Sequence, residues 1–310
     1  MNYRIAVVYA CDANYHNLTL YSLASIARTH KAKLDFHFAQ IDYQQPVPSK
    51  LLEFLASRGH GLITTTAAPL PVKGESRKGS SWEHITDTMF HKSAAIQALT
   101  RDYDYVLYVD SDLLAFDDLR LDKVAGFSEL CAACIDIPVA TGMEHPEFFE
   151  NCKKNGLSTK FFNSGFVMAN SSKWLATQAH ERFMEALVQH AAHCPYFATC
   201  ILNDQCAFNM VVAGDFLKLP LALNVQQGAL HTHDWETAIV RHYNGKHKFL
   251  KRRPWTCDPR QYETVRAISR DAGLPSPLNM YDFGLSYWLN GIRRRNSTAA
   301  VERAIAEYCR

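Results

Sequence analysis

The first hundred residues alternate short apolar runs, rich in β-branched and aromatic residues, with segments of helical periodicity. The first run, YRIAVVYA at residues 3–10, is apolar almost without interruption, which is typical of a strand buried on both faces of a parallel sheet. The alternation predicts βαβ units, and therefore an α/β fold with a mainly parallel central sheet flanked by helices. Strands are predicted at residues 3–10, 34–41, 61–65, 104–110, 129–137 and 162–170. Helices are predicted at 16–30, 48–57, 89–100, 173–192 and 201–212, and a Gly- and Ser-rich loop at 72–82.

The predicted strand DYVLYVD at 104–110 runs directly into Ser111 and Asp112, so that Asp110 and Asp112 flank one serine. Ligands of open α/β sheets gather at the carboxyl ends of strands, so these two acids lie where chemistry is expected. Carboxylates on alternate residues can hold one divalent cation, with phosphate oxygens and water completing its shell. An acid pair that caps a helix or faces solvent is the alternative, because motifs this short also arise by chance.

Length, charge and composition exclude several classes of protein. The 310 residues include 33 basic and 31 acidic side chains, and a net charge of +2 argues against a nucleic-acid-binding protein that acts through bulk charge. With 47% hydrophobic residues, the chain is expected to fold around a core of its own. The sequence has no apolar run of about 18 residues and no signal-peptide pattern, so we expect a soluble, cytoplasmic protein. Its nine scattered cysteines predict reduced, mostly buried thiols, and Cys131-x-x-Cys134 lacks the second pair typical of a zinc site.

Three further polar motifs could carry chemistry. Asn163-Ser164-Gly165 offers an amide and a hydroxyl to sugar hydroxyls and a glycine that permits close approach, although an ordinary turn is the simpler explanation. Asp204-Gln205 stands near the start of a predicted helix, where it could lie under a bound sugar or, together with Asn203, cap the helix. HYNGKHK at 242–248 offers an imidazole, a glycine and a lysine that could meet phosphate, and a solvated basic loop is its alternative.

Taken together and in order, these motifs resemble the retaining glycosyltransferases of family 8, which have the GT-A fold and include bacterial galactosyl- and glucosyltransferases and glycogenins. The resemblance runs from about residue 4 to residue 250. It is carried by ACDANY at 10–15, FHKSAA at 90–95, VLYVDSD at 106–112, ACID at 133–136, FNSG at 162–165, Asp204-Gln205 and HYNGKHK at 242–248. The chain departs from the family at Cys206, where many members have the second acid of a DQD motif, and at Phe249, where proline is usual. Trp255 is a candidate for the aromatic residue that normally follows the motif's lysine.

The resemblance implies a role for each matching position. Contacts to a UDP-sugar are implied for Ala10, Asp12, Asn14, Lys92, Asp110, Ser111, Asp112, Asn163, Ser164, His242, Gly245 and Lys248. Contacts to the donor or acceptor sugar are implied for Asp136, Asn163, Asp204 and Gln205. A divalent cation, Mn²⁺ or else Mg²⁺, would be held by Asp110, Asp112 and His242 and would bridge the diphosphate. Catalysis would depend on Asp204, Gln205 and Lys248.

The implied reaction transfers a hexose, galactose or glucose, from UDP to a glycan or glycolipid acceptor such as lipopolysaccharide, with retention of configuration. The cation would neutralise charge on the departing UDP, and Lys248 would add a positive group on the same oxygens. Gln205 is best placed to lie against the far face of the sugar. Because an amide is a weak nucleophile and Cys206 provides no carboxylate beside it, front-face attack is favoured over a covalent intermediate.

The same implication divides the chain into a GT-A domain at residues 1–250 and a helical, basic C-terminal extension at 251–310. The extension could contact the acceptor or a membrane. KHKFLKRR at 246–253 and Arg293-Arg294-Arg295, which follows Trp288, Leu289 and Ile292, mix basic with apolar residues. Such a mixture suits peripheral contact with anionic lipid at the inner face of the membrane, and a solvated helix face is the alternative. No nucleic-acid partner is expected.

Two alternative functions stay open from the residues alone. A non-catalytic UDP-sugar-binding protein on the same fold is one, because Cys206 replaces an acid of the site. A phosphatase or phosphotransferase of the haloacid-dehalogenase kind is the other, because that class also has two aspartates at a strand end. That class requires Thr or Val where this chain has Leu114, and its motif follows the first strand rather than a later one.

Overall fold

The computed structural model describes residues 3–70, 87–142, 145–198, 200, 203–245, 247–251, 257–276, 278 and 285–309. The predicted loop at 72–82 and Trp255 lie outside the described residues. The described strands are β1 (Ile5–Cys11), β2 (Asp35–Ile41), β3 (Gly61–Ala67), β4 (Tyr105–Val109), β5 (Leu113–Ala115), β6 (Cys131–Ile135), β7 (Phe162–Asn170), β8 (Phe216–Lys218), β9 (Val225–Gln226) and β10 (Val240–His242).

A seven-stranded sheet with the order β3-β2-β1-β4-β7-β6-β8 forms the centre of the molecule. The first four strands in this order are parallel, and β7 runs antiparallel to its neighbours β4 and β6. Strands β4 and β7 are buried along their whole length, because helices cover both faces of a sheet of this kind. The predicted α/β fold with a mainly parallel sheet is confirmed.

The described helices are α1 (His16–Thr29), α2 (Ser49–Ser57), α3 (Lys92–Gln97), α4 (Leu121–Val124), α5 (Ile137–Ala140), α6 (Phe148–Asn155), α7 (Ser171–Ala176), α8 (Ala179–Ala192), α9 (Asn203–Val212), α10 (His233–Thr237), α11 (Pro259–Ala272), α12 (Leu285–Arg293) and α13 (Arg295–Tyr308). The single helix predicted at 173–192 is wrong. Gln178 has a φ of 51°, in the left-handed region, so it ends α7 and precedes α8. Helix α11 packs against α1 and α2.

A second, three-stranded sheet with the order β5-β10-β9 lies beside the first. Its strands have two or three residues each, too few for a recognisable period, and they were not predicted. Strand β5 follows Asp112 directly, and β10 ends at His242, which pairs in register with Leu113. This small sheet therefore brings the HYNGKHK segment against the strand end that carries the two aspartates.

A small group of buried side chains is separate from the main core, and we call it the second core. It consists of Val139, Phe148, Cys152, Phe161, Tyr196, Phe197 and Cys206. It joins α5, α6 and the segment between α8 and α9. Tyr196 and Phe197, just after Pro195, are therefore held by packing against the aromatic side chains of this second core.

In the part of the chain that the structure describes, no helix combines the length and the apolar character needed to cross a membrane. Helix α12 nevertheless presents Trp288, Leu289 and Ile292 to solvent, with exposed fractions of 57%, 43% and 71%.

Candidate active site

Two aspartates lie where β4 leaves the sheet. The backbone N–H of Asp110 donates to the Gly165 carbonyl of β7 at 2.8 Å, and the carbonyl of Asp112 accepts from Tyr243 N at 2.9 Å. The ends of β4, β7 and β10 therefore converge on these two residues. Asp112 is buried, whereas the Asp110 side chain is partly exposed, so the pair opens toward solvent on one side.

His242 lies between the aspartates and a pair of buried amides. Its Nε2 is 3.1 Å from Asp112 Oδ1 and 3.7 Å from Asp110 Oδ2. Its Nδ1 is 3.1 Å from Asn163 Oδ1 and 3.1 Å from Asn224 Oδ1. Two amide oxygens around Nδ1 favour a proton there, so Nε2, which faces the carboxylates, is the nitrogen through which His242 can coordinate a cation.

One ligand atom from each of Asp110, Asp112 and His242 lies within 4.8 Å of the other two. Two carboxylates and an imidazole are donors that Mn²⁺ accepts, and the partly open side leaves positions for substrate oxygens. The residues present therefore fit a divalent cation at this point, as the sequence predicted.

Gly165 is required at this point for steric reasons. A Cβ atom there would lie 2.3 Å from His242 Cε1 and 2.7 Å from Asp110 Oδ2, closer than real contacts allow. The glycine of the FNSG motif thus lets β7 pass directly behind the side chains of Asp110 and His242. Sequence reasoning had assigned it to close approach by a ligand, and the approaching groups are the protein's own.

Lys92 is buried beneath the aspartates. Its Nζ lies 3.1 Å from Asp110 Oδ1 and 2.8 Å from Asp204 Oδ2, and it donates to Ser164 Oγ at 3.1 Å. Burial alone would lower the pKa of Lys92, but the two carboxylates outweigh it and raise the pKa above its usual range. The lysine is therefore a fixed positive charge that holds Asp110 and Asp204 in place.

Lys248 pairs with the other aspartate. Its Nζ donates to Asp112 Oδ2 and to the Tyr243 carbonyl, and it lies 5.9 Å from the centre of the Tyr15 ring. Burial would raise the pKa of Asp112, but the charges of Lys248 and the contact with His242 hold that pKa below its usual range. Asp112 is thus ionised and is available to a cation that displaces Lys248.

A second polar network lies beside the first and contains the predicted sugar-binding residues. Asp136 Oδ2 accepts from Asn163 Nδ2 and from Gln205 Nε2, both at 3.0 Å, and its Oδ1 caps α5 by accepting from Val139 N at 3.0 Å. Gln205 Oε1 accepts from Asn163 Nδ2 at 3.2 Å and from Ser164 N at 3.1 Å. Both ends of the Gln205 amide are thus fixed, and its orientation is determined.

Asp204 accepts a hydrogen bond from Ser164 Oγ at 3.2 Å in addition to its ion pair with Lys92. Its side chain is therefore directed into the polar cluster. The alternative that Asp204 serves as a helix cap does not account for these contacts. Through Asp204 and Gln205, helix α9 is attached to both polar networks.

The predicted nucleotide contacts lie at the end of β1. Asp12 Oδ1 accepts from Asn14 N at 2.9 Å, which starts a short 3₁₀ turn at Ala13–Tyr15. Asn14 is exposed and Ala10 is buried. Ser111 Oγ accepts from Thr19 Oγ1 at 2.7 Å, so this serine joins the turn that carries Asp110 and Asp112 to α1. The parallel pairing of β1 and β4 places both ends at the same edge of the sheet.

The HYNGKHK segment is anchored on both sides of its glycine. Gly245 N donates to Gln227 Oε1 at 3.1 Å, and a Cβ at Gly245 would lie 2.6 Å from that oxygen. Phe249, which departs from the family pattern, is buried with its ring 5.5 Å from that of Tyr243. Gln261 Nε2 donates to the Phe249 carbonyl at 2.9 Å. The phenylalanine therefore anchors the segment against α11.

Sequence reasoning missed Asn224, which is fully buried and whose Nδ2 donates to Asn163 Oδ1 at 3.0 Å. It also missed Gln226, whose Oε1 accepts from Ile137 N at 2.7 Å beside Asp136. Both residues lie in or next to β9, a two-residue strand outside every motif. The alternation of polar and apolar residues in NVQ at 224–226 is the signal in the sequence that could have indicated a short strand with two polar side chains on one face.

The chain and its fold are similar to known proteins. The family model described as "Glycosyl transferase family 8" matches residues 6–256. No curated protein matches the chain. Among solved structures, the galactosyltransferase LgtC in complex with donor and acceptor sugar analogues superposes with a TM-score of 0.65 at 19% identity, over 89% of this chain and 98% of LgtC.

Two other glycosyltransferases superpose at similar scores. The bifunctional WbbM has a TM-score of 0.64 at 17% identity, over 87% of this chain and 52% of its own. GlyE of Streptococcus pneumoniae TIGR4 has a TM-score of 0.59 at 19% identity, over 90% of this chain and 66% of its own. This chain therefore spans about half the length of WbbM and about two thirds of GlyE. At these identities the superpositions show the GT-A fold.

Proposed function

This chain belongs to glycosyl transferase family 8, and on that premise we propose that it is a metal-dependent, retaining hexosyltransferase. Its donor would be UDP-galactose or UDP-glucose, and its acceptor a glycan or glycolipid such as lipopolysaccharide. The observation that supports this proposal most strongly is the convergence of Asp110, Asp112 and His242 at the carboxyl end of β4. The family match favours this function over the phosphatase alternative.

Asp110, Asp112 and His242 would hold the cation, which we take to be Mn²⁺ or Mg²⁺. When bound, the cation supplies Lewis-acid stabilisation of the charge that develops on the UDP leaving group. The tautomer that the amides favour at His242 keeps Nε2 available to it. Lys92 stays beneath Asp110 and limits the repulsion among the carboxylates.

Lys248 would change partner when the donor binds. In the structure its ammonium neutralises Asp112. With Asp112 engaged as a cation ligand, Lys248 would be released to bind diphosphate oxygens, where it would stabilise the same leaving group. Asp12 and Asn14, at the end of the adjacent strand β1, would contact the nucleoside. Ala10, Ser111, Ser164 and Gly245 would shape the donor pocket around them.

The sugar would lie beside the network of Asp136, Asn163 and Gln205. Gln205 has no carboxylate to offer as a nucleophile, and its amide is held by hydrogen bonds at both ends. Asp204 is held in an ion pair with Lys92, which lowers its nucleophilicity. These contacts favour front-face attack by the acceptor, with Gln205 and Asp204 positioning the sugar.

The test is a screen of UDP-hexoses for transfer to a glycan acceptor, with the anomeric configuration of the product determined by NMR. We expect transfer from UDP-galactose or UDP-glucose in the presence of Mn²⁺, with the axial C1 configuration of the donor retained. An inverted product would contradict the retaining mechanism. Binding of UDP without turnover of any donor would support the alternative of a non-catalytic UDP-sugar-binding protein, in which Cys206 marks the loss of an acid.

We also propose that the protein works at the cytoplasmic face of a membrane, in contact through α12. Trp288, Leu289 and Ile292 are exposed together on this helix, and Arg293 and Arg294 follow them on exposed positions. An aromatic and two aliphatic side chains beside arginines suit the interface of an anionic bilayer. A lipid-linked acceptor would be presented at the same surface. The division into a domain at 1–250 and an extension at 251–310 is retained as part of this proposal.

A further inference from the structure

Four side chains that commonly bind metals meet outside the proposed active site. His190 lies in the last turn of α8, Cys194 just beyond that helix, Cys200 in the connection to α9, and Cys206 in α9. One ligand atom of each lies within 4.8 Å of the other three. We call this group the cysteine cluster. The proposed transfer reaction gives the cysteine cluster no role.

The distances between the sulfur atoms fit a shared ligand. Cys200 Sγ and Cys194 Sγ lie 3.5 Å and 3.9 Å from Cys206 Sγ. A disulfide would bring two sulfurs to about 2.05 Å, so neither pair is bonded. Sulfurs about 2.3 Å from a zinc ion at tetrahedral angles lie roughly 3.8 Å apart. The observed separations match the edges of such a tetrahedron.

The histidine provides an independent indication. His190 has an exposed fraction of 5%, and its Nε2 is buried without a hydrogen-bond partner. A buried polar atom without a partner destabilises the fold, so buried polar atoms in folded proteins usually have a partner. A metal ion coordinated by Nε2 would satisfy it. A buried imidazole therefore stands beside the three sulfurs as the fourth candidate donor.

The surroundings suit a closed, structural site. Cys206 belongs to the second core, and Cys194 and Cys200 pack against it, beside Phe148, Phe161, Tyr196 and Phe197. Phe197 N donates to Cys194 Sγ at 3.4 Å, which is a contact that stabilises a metal-bound thiolate. Four protein ligands leave no position for water or substrate, as in structural rather than catalytic zinc sites.

We propose that His190, Cys194, Cys200 and Cys206 bind one structural Zn²⁺ ion. Three thiolates and one imidazole are soft donors that select zinc over Mn²⁺ or Mg²⁺, so the two metal sites of the molecule would hold different ions. The zinc would tie α8, the connection and α9 together. It would also explain Cys206, which stands where relatives have an acid, as a zinc ligand adjoining Gln205.

The test measures bound metal directly and does not depend on activity. Protein without a histidine tag, expressed in zinc-containing medium, is passed through EDTA and analysed for zinc by mass spectrometry. We expect about one zinc per chain to survive, and less than about one tenth in Cys200→Ser. The matched control is Cys152→Ser, because Cys152 is buried in the same second core but lies outside the cysteine cluster. It should retain its zinc.

A second measurement covers the case in which Cys200→Ser does not fold. Wild-type protein grown with Co²⁺ should show the visible absorption and the sulfur-to-metal charge transfer of tetrahedral cobalt bound by thiolates. Wild-type protein that contains no zinc, and shows no such spectrum, would overturn the proposal. An intact mass lower by two hydrogens, with peptide mapping that places the disulfide within the cluster, would overturn it in favour of a redox pair. Either result leaves the proposed transfer reaction unaffected.

Discussion

At the scale of single residues, His242 connects the two polar networks of the site. Its Nδ1 is set against the oxygens of Asn163 and Asn224, and its Nε2 faces Asp110 and Asp112. The family resemblance carried by HYNGKHK implies a ligand role for this histidine. Its tautomer depends on Asn224, which belongs to no motif, so this detail required the structure.

Replacement of this histidine tests its role as a ligand. We expect His242→Ala to lower the affinity for Mn²⁺ in the presence of UDP by at least about tenfold, because loss of even an outer-shell partner commonly costs roughly 10–100-fold. Isothermal titration calorimetry measures it. The control is His37→Ala, a histidine whose Nε2 contacts Tyr103 Oη at 3.1 Å instead. Equal affinities in wild type and His242→Ala would contradict the assignment.

Gly165 is a second residue at this scale whose role the structure explains: only a residue without a side chain fits between β7 and the side chains of His242 and Asp110. Gly165→Ala places a methyl group against His242 and Asp110, and overpacking of this kind costs about 1–3 kcal/mol. We expect urea unfolding to show that loss. Gly228→Ala is the matched control, because its Cβ would meet Pro138 at an ordinary 3.8 Å. If Gly165→Ala lowers the free energy of unfolding no more than Gly228→Ala does, the neighbouring side chains can move to accommodate the methyl group and the steric argument is wrong.

At the scale of elements, β10 and the segment that follows it carry the two side chains that contact Asp112 at the proposed metal site. Strand β10 delivers His242, and Lys248 returns to pair with Asp112. On the proposed function, a cation and Lys248 would therefore compete for one carboxylate. The sequence predicted both residues, but it could not predict the competition, since that depends on Asp112 lying within reach of both.

This competition predicts that loss of the Lys248 charge raises the affinity for Mn²⁺ but lowers the rate of UDP release. Lys248→Met should bind Mn²⁺ more tightly than wild type, because no ammonium has to be displaced from Asp112. The same variant should release UDP more slowly at saturation, because a positive group on the diphosphate is lost. Calorimetry and a UDP-release assay give the two values.

The control for this pair of measurements is Lys173→Met, which removes a lysine from a surface ion pair with Asp215 at 2.8 Å. Exposed pairs contribute about 0–1 kcal/mol, so this variant should match wild type in both assays. Weaker Mn²⁺ binding by Lys248→Met, or an unchanged rate, would rule out the exchange of partners.

Helix α12 supports a prediction of its own. Trp288→Ser combined with Ile292→Ser should lower the fraction of protein that floats with vesicles of anionic lipid, because both apolar side chains are exposed. Val188→Ser is the control, since Val188 is 69% exposed on α8. Wild-type protein that does not float with such vesicles would favour a solvated helix face.

At the scale of the whole molecule, six of the seven strands of the main sheet were predicted, whereas the three-residue strand β8 and the small second sheet were not. The first five predicted elements have boundaries within two residues of those observed, because β1, α1, β2, α2 and β3 follow one clear alternation. The small sheet was missed because its strands are too short to show a period. The break at Gln178 was missed because its left-handed conformation has no signal in the surrounding apolar pattern.

The cysteine cluster shows a similar limit. Its members are separated by three, five and five intervening residues, a spacing unlike the paired C-x-x-C of common zinc motifs. The one closely spaced pair, Cys131-x-x-Cys134, was rejected as a zinc site from the sequence, and it lies buried in β6 outside this cluster. The ends of α8 and α9 bring the four ligands together, and that is a property of tertiary packing.

The central claim is that Asp110, Asp112 and His242 hold a cation that the transfer requires. Its most direct test is release of UDP from UDP-galactose or UDP-glucose by EDTA-treated protein, with Mn²⁺ added back, for wild type and Asp112→Asn. We predict that EDTA abolishes release, that Mn²⁺ restores it in wild type, and that Asp112→Asn stays at least about 100-fold slower, on the scale of losing a key electrostatic group. Undiminished release in EDTA, or by Asp112→Asn, would contradict the account.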